Sequence, residues 1–145
     1  MSDTADELLQ ASIEKIEAAY EYMLAYAAQG RKDEPAAGDA SNTPSIRDFL
    51  ENLLSGIENI SQGFSESAQS LSSDASVKES FENFKAVLGS DAESAAAVVG
   101  MVLKVPSLSS QLIDNLNASA HLRCLLTDIF VLDEVLKIQQ QKQSV

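Results

Sequence analysis

Apolar residues recur along this chain at alternating intervals of four and three, the spacing that lines side chains along one face of an α-helix. Leu9, Ile13, Ile16, Tyr20, Met23 and Ala27 form the first stripe, with Glu14, Lys15, Glu17 and Glu21 lying off it. Ile46, Leu50, Leu53, Ile57, Ile60 and Phe64 form the second, widened by Phe49 and Leu54 and weakening from Ser67 to Leu71. Val77, Phe81, Phe84 and Leu88 make a shorter third stripe. In the apolar run that follows, Ala92, Ala96 and Gly100 sit four apart, a pattern that admits close approach of a neighbouring backbone. The most continuous apolar content lies between Pro106 and Gln143, where Ala118, Leu122, Leu125, Ile129, Leu132 and Leu136 share one stripe. Val131, Val135 and Phe130 broaden that stripe towards a second neighbour, which predicts that the last helix is the central member of a bundle.

Punctuation between the stripes divides them into helices. Thr4-Ala5-Asp6-Glu7 has the form of a capping box, and Gly30 is suited to a left-handed helix stop. Thr43-Pro44-Ser45 predicts a restart with Thr43 as N-cap and Pro44 at the first helical position. Ser76-Val77-Lys78-Glu79 and Ser90-Asp91-Ala92-Glu93 read as further boxes, with Gly89 ending the helix between them and a small apolar helix running to about Lys104. Pro106 predicts a break before the final helix. Residues 31–43 lack periodicity and carry Pro, Gly and small polar residues, so they predict a mobile loop. Residues 139–145 are polar and predict a frayed tail. The expected architecture is all-α: an antiparallel helical bundle of four main helices plus a short connecting helix, in a single domain spanning residues 1–145.

Composition agrees with helices, because hydrophobic residues make up 45% of the 145 while aromatic residues make up only 6%. A chain of this length buries a core without disulfides or metal. Charge narrows the partners. The formal net charge is −12, and residues 1–91 hold 17 acidic and 6 basic residues against 5 and 4 in residues 92–145. Such a surface repels nucleic-acid phosphates and anionic lipid heads and attracts basic proteins. No membrane span is expected, since the run Ala95–Leu103 is about half the roughly 20 apolar residues a span needs. The acidic start Met1-Ser2-Asp3-Thr4-Ala5-Asp6 is unlike a signal peptide, and Cys124 has no second cysteine to pair with. Both point to a reducing, cytoplasmic setting.

Chemistry is sparse. His121 is the sole histidine, and Ala118 stands where a carboxylate-bridged metal bundle would need Glu. Cys124, three residues on, adds a second donor to a zinc site that wants about four, so neither metal nor cofactor is expected, and Cys124 reads as a buried thiol. No Gly-x-Ser-x-Gly elbow or Gly-rich phosphate loop is present, which argues against an enzyme. Ala120-His121-Leu122-Arg123-Cys124-Leu125 resembles in part the motif of histidine phosphotransfer domains, helical bundles with one exposed His. In that family a basic residue lies three places after the His and a small residue four places after. Here Arg123 lies at the second place, Cys124 at the third and Leu125 at the fourth.

The remaining reading is contact with other proteins. Tyr20, Tyr22, Tyr26, Phe49 and Leu54 lie on or beside the main stripes. They either cover the core from a second side or form a self-complementary face for a homodimer. The expected function is that of a non-enzymatic adaptor, accessory or chaperone-like protein acting through apolar helix faces and an acidic surface. Two alternatives stand beside it: a phosphotransfer module using His121, and a binder of a small hydrophobic ligand lined by Met23, Met101 and the phenylalanines.

Overall fold

The computed structural model describes residues 2–34, 44–70 and 73–143, with the backbone alone at 2–5, 142 and 143. These residues form five helices and no strand: α1 (Ser2–Ala27), α2 (Ile46–Gln69), α3 (Ala75–Val102), α4 (Ser110–Asn117) and α5 (Ala120–Gln143). The all-α expectation holds. Leu9, Ile13, Ile16 and Met23 of α1 are buried against Ile46, Leu50, Leu53, Ile57, Ile60 and Phe64 of α2 in one continuous core. Ala19 and Tyr26 take the fully buried positions of α1, whereas Tyr20 and Ala27 are half-buried one residue away. That displacement is what a helix of 3.6 residues per turn imposes on a pattern counted in sevens.

The backbones of α1 and α2 approach closely, and two glycines allow it. A Cβ built on Gly56 would lie 2.9 Å from the Ser12 carbonyl oxygen and 2.9 Å from Ile16 Cγ1. One built on Gly63 would lie 3.1 Å from Leu9 Cα. These contacts, together with the 2.6 Å hydrogen bond from Ser67 Oγ to Asp6 Oδ1, run α1 and α2 in opposite directions. The close approach expected at Gly100 does not occur: a Cβ there meets nothing within 4 Å.

Several helix boundaries differ from expectation, each for a local reason. α1 begins at Ser2, so Thr4 lies inside it and not at its cap. Gly30 does adopt φ +65°, just after the last turn of α1. The α2 cap is Ser45, not Thr43 (which lies outside the described residues). Ser45 Oγ accepts from Asp48 N at 3.1 Å while Ser45 N donates to Asp48 Oδ2 at 2.9 Å, a reciprocal pair that Pro44 cannot offer. Asp74 caps α3 in place of Ser76, accepting from Ser76 N and Val77 N at 2.8 and 3.2 Å.

Gly89 does not end a helix. The buried positions Leu88, Ala92, Ala95, Val99 and Val102 keep one register across it, so α3 is continuous through both expected segments and through Ser90-Asp91-Ala92-Glu93. The modest cost of a mid-helix Gly is outweighed by that shared face. The stretch from Pro106 to Gln143 is in turn two helices. Ser109 Oγ caps α4 by accepting from Leu112 N at 3.1 Å, and Ala118, expected in the apolar stripe, is the exposed C-cap residue of α4. The short helix is therefore α4, not the segment from residue 90 to 104. At the far end, α5 remains helical through Gln143, into the segment expected to fray.

α4 and the segment before it are fastened to the ends of α1 and α2 by polar groups. Tyr26 Oη donates to the Leu108 carbonyl, Ser110 Oγ donates to the Tyr26 carbonyl at 2.7 Å, and Asn117 Nδ2 donates to the Met23 carbonyl at 3.3 Å. Arg31 N donates to Ser110 Oγ at 2.9 Å and Ser110 N to the Arg31 carbonyl at 2.8 Å. Arg47 grips Glu34 through two nitrogens at 2.8 and 3.2 Å and caps the end of α3 by donating to the carbonyls of Leu103 and Val105, both at 2.8 Å. The start of the stretch expected to be a mobile loop, residues 31–34, is thus held by side-chain and backbone bonds; residues 35–43 lie outside the described residues.

Gly56→Ala should destabilise the fold by about 1–3 kcal/mol in thermal or urea unfolding, because its methyl meets a backbone oxygen that cannot move alone. Gly100→Ala should instead stabilise by about 0.5 kcal/mol, since helix propensity improves and the space is open.

Candidate functional site

α5 presents two apolar faces. Leu122, Leu125, Leu126, Ile129, Leu132 and Leu136 are buried in the core. On the opposite side Phe130, Val131 and Ile138 are 56, 53 and 54% exposed, with Val135 beside them at 37%. The residues expected to reach a second neighbour thus face solvent, and α5 is not the central helix. At 100° per residue, exposed Cys124, Val131, Val135 and Ile138 fall within a sector of about 60°. Thr127 and Glu134 lie along one side of that sector and Phe130 just beyond them. The whole helix carries Asp128, Asp133 and Glu134 against Arg123, Lys137 and Lys142, so it is electrically balanced within a chain of net charge −12.

The aromatic residues considered for an interface lie elsewhere. Tyr26 is buried, and its hydroxyl is committed to Leu108. Burial, with the Glu34 carboxylate adding to it, raises the Tyr26 phenol above its ordinary pKa. Tyr22 stacks on Phe49 with ring centroids 4.1 Å apart and an interplanar angle of 14°. Tyr20, Tyr22, Phe49 and Leu54 are half-buried and packed against the core, the position of residues that cover it from a second side. Sequence reasoning missed the free face of α5 because one helix carrying apolar residues all round reads the same whether its second face meets a neighbour or water.

His121 and Arg123 are exposed in the first turn of α5. Leu125 is fully buried in the core. Cys124 is exposed, which corrects the expectation of a buried thiol: it sits on the outer side of a helix whose leucines turn inward. Among the described residues no group of three or more His, Cys, Asp or Glu side chains could hold a metal ion, and no helix is long and apolar enough to cross a membrane.

One titratable pair stands out where α5 crosses α3. Asp128 Oδ2 is shut off from solvent with no partner as a carboxylate, and it faces the side chain of Asp91. Two ionised carboxylates cannot hydrogen-bond to each other, whereas one shared proton supplies the donor. Burial first, then the Asp91 hydrogen bond and its negative charge, push the Asp128 carboxyl up to about 7.

No protein-family model, curated protein or solved structure matches this chain.

The Asp91–Asp128 pair sets the sign of a pH effect. A carboxyl raised from 3.8 in the ordinary state to about 7 in the fold keeps a proton that the unfolded chain releases. Its stabilisation is complete below about pH 4 and lost as the pH rises through 7. Asp128→Asn should therefore raise unfolding stability at pH 8 by about 1 kcal/mol, a value discounted for partial solvent screening, with the gain closing towards pH 4. Urea unfolding of both proteins at a series of pH values measures it.

Proposed function

We propose that this chain is a non-enzymatic adaptor or chaperone-like protein of a reducing, cytoplasmic setting that acts by protein–protein contact. Its scaffold is an antiparallel bundle of α1, α2, α3 and α5 in a single domain, with α4 as the short connecting helix. The observation that carries this reading is the outer apolar stripe of α5, Val131, Val135 and Ile138 with Phe130 alongside. Four large apolar side chains grouped on one exposed helix face gain more from a partner than from water.

The first contact of this face is a second copy of the chain. An isologous dimer lays the same stripe against itself. With α5 helices antiparallel and crossing between Thr127 and Val131, Arg123 of one copy comes near Glu134 of the other. The zero balance of α5 also lets two strongly acidic molecules meet without opposing like charges across the contact. The acidic surface of residues 1–91 remains outside this contact and suits a basic protein partner.

Native mass spectrometry and sedimentation over a concentration series test this. Wild-type protein is expected to be dimeric at micromolar concentration. Val131→Glu is expected to be monomeric, with stability within about 0.5 kcal/mol of wild type because residue 131 is exposed. A wild-type monomer throughout would contradict self-association, and phosphate acceptance lost in His121→Ala would favour the phosphotransfer alternative.

A further inference from the structure

A groove opens between the C-terminal part of α2 and the N-terminal part of α3, at the opposite end of these helices from the Arg47–Glu34 grip. Phe64, Ser65, Ala68 and Gln69 line one side and Lys78, Phe81, Glu82 and Lys85 the other, around a volume of about 350 Å³. Its floor is apolar. Phe64 and Ala68 are buried, and Phe64 meets Phe81 and Phe84 edge to face with ring centroids 6.0 and 5.4 Å apart.

The charges at this groove run against the rest of the molecule. The chain holds ten basic residues against 22 acidic, yet two of the ten line this one apolar groove. Lys78 and Lys85 make no ion pair among the described residues. They are seven residues apart on one face of α3, about 10.5 Å along its axis, and Phe81 lies between them. Lys85 is half-buried and Lys78 exposed, so both line the groove with apolar stems that end in a positive charge. The backbone N–H groups of Ser76 and Val77 are already satisfied by Asp74, which leaves the lysines as the anion-attracting groups. Glu82, between the two lysines on the same lining, cancels one positive charge. The groove is therefore matched to one negative charge attached to an apolar body.

We infer that this groove binds an amphiphilic monoanion, a medium-chain fatty carboxylate, with its chain over Phe64, Ala68 and Phe81 and its carboxylate at the lysines. Size agrees with that class. A volume of about 350 Å³ lies at the lower end of the roughly 300–1,000 Å³ range of small-ligand sites, which suits a short ligand such as a ten-carbon carboxylate. This site is separate from the outer face of α5 and does not depend on the adaptor reading.

Isothermal titration of the intact protein with sodium decanoate below its micelle concentration tests the inference, with decanol as the neutral analogue of equal chain length. Saturable binding of one decanoate per chain is expected, with decanol at least tenfold weaker. The double variant Lys78→Gln, Lys85→Gln should lose at least tenfold in decanoate affinity while keeping its helical circular dichroism. Val131→Glu, outside the groove lining, should bind decanoate as wild type does. Glu82→Gln should admit the dianion decyl phosphate, which wild type binds more weakly than decanoate. Absence of saturable heat with wild type, equal affinity for decanol and decanoate, or undiminished binding by the double lysine variant would each overturn it.

Discussion

The fold depends on how near α1 and α2 come to each other. Gly56 and Gly63 are two turns apart on the buried face of α2, and each removes the side chain that would hold α1 away. At Gly56 the neighbour is a backbone oxygen, so the constraint cannot be relieved by turning a side chain. With the two backbones in contact, Leu9, Ile13 and Ile16 interdigitate with Leu53, Ile57 and Ile60 on both sides of the glycines. The remaining helices add to this pair. α3 covers α2 through Leu88, Ala92, Ala95 and Val99, and α5 closes over α3 through its inner leucines.

Polar groups do at one end what packing does along the helices. The joint between α3 and α4 includes Pro106 and a run of backbone groups that no helix satisfies, and such groups need partners when buried. Tyr26 and the Arg47–Glu34 pair provide them at Leu103, Val105 and Leu108, while Ser110 and Asn117 satisfy carbonyls at the end of α1. Arg47 is an unusual choice for the first turn of a helix, where the backbone dipole is positive. Its fork offsets this by binding the Glu34 carboxylate and two carbonyls at once, which a lysine ammonium could not do with the same geometry. The fastened end positions α4 against α1, and so sets where α5 begins.

The stripe of α2 was fully legible in the sequence: all six residues from Ile46 to Phe64 spaced four and three apart are buried. The buried stripe of α1 was legible to within one residue. The close contact of α1 with α2 was not, because a glycine within a helical pattern carries no mark of whether a neighbour occupies the space it leaves; Gly56 and Gly100 look alike in sequence and differ completely in surroundings. Helix ends were misplaced where two capping residues competed, as at Thr43 and Ser45 or Asp74 and Ser76, since the choice rests on bonds of about 3 Å that spacing alone does not specify. The candidate surface was half legible. Phe130, Val131 and Val135 stand out in the sequence by their apolarity, but periodicity does not distinguish a face turned to a helix of the same chain from one turned to solvent. The groove at Lys78 and Lys85 depends on two helices meeting, and no single segment encodes it.

The central claim is that α5 belongs to the fold by its inner face and to another molecule by its outer one. Backbone hydrogen–deuterium exchange at two protein concentrations, one below and one above self-association, tests it most directly. Protection is expected to rise with concentration in peptides covering residues 124–138 while the α1–α2 contact stays equally slow at both. Exchange in residues 124–138 that is indifferent to concentration, or a gain confined to the segments holding Tyr22 and Phe49, would contradict the claim.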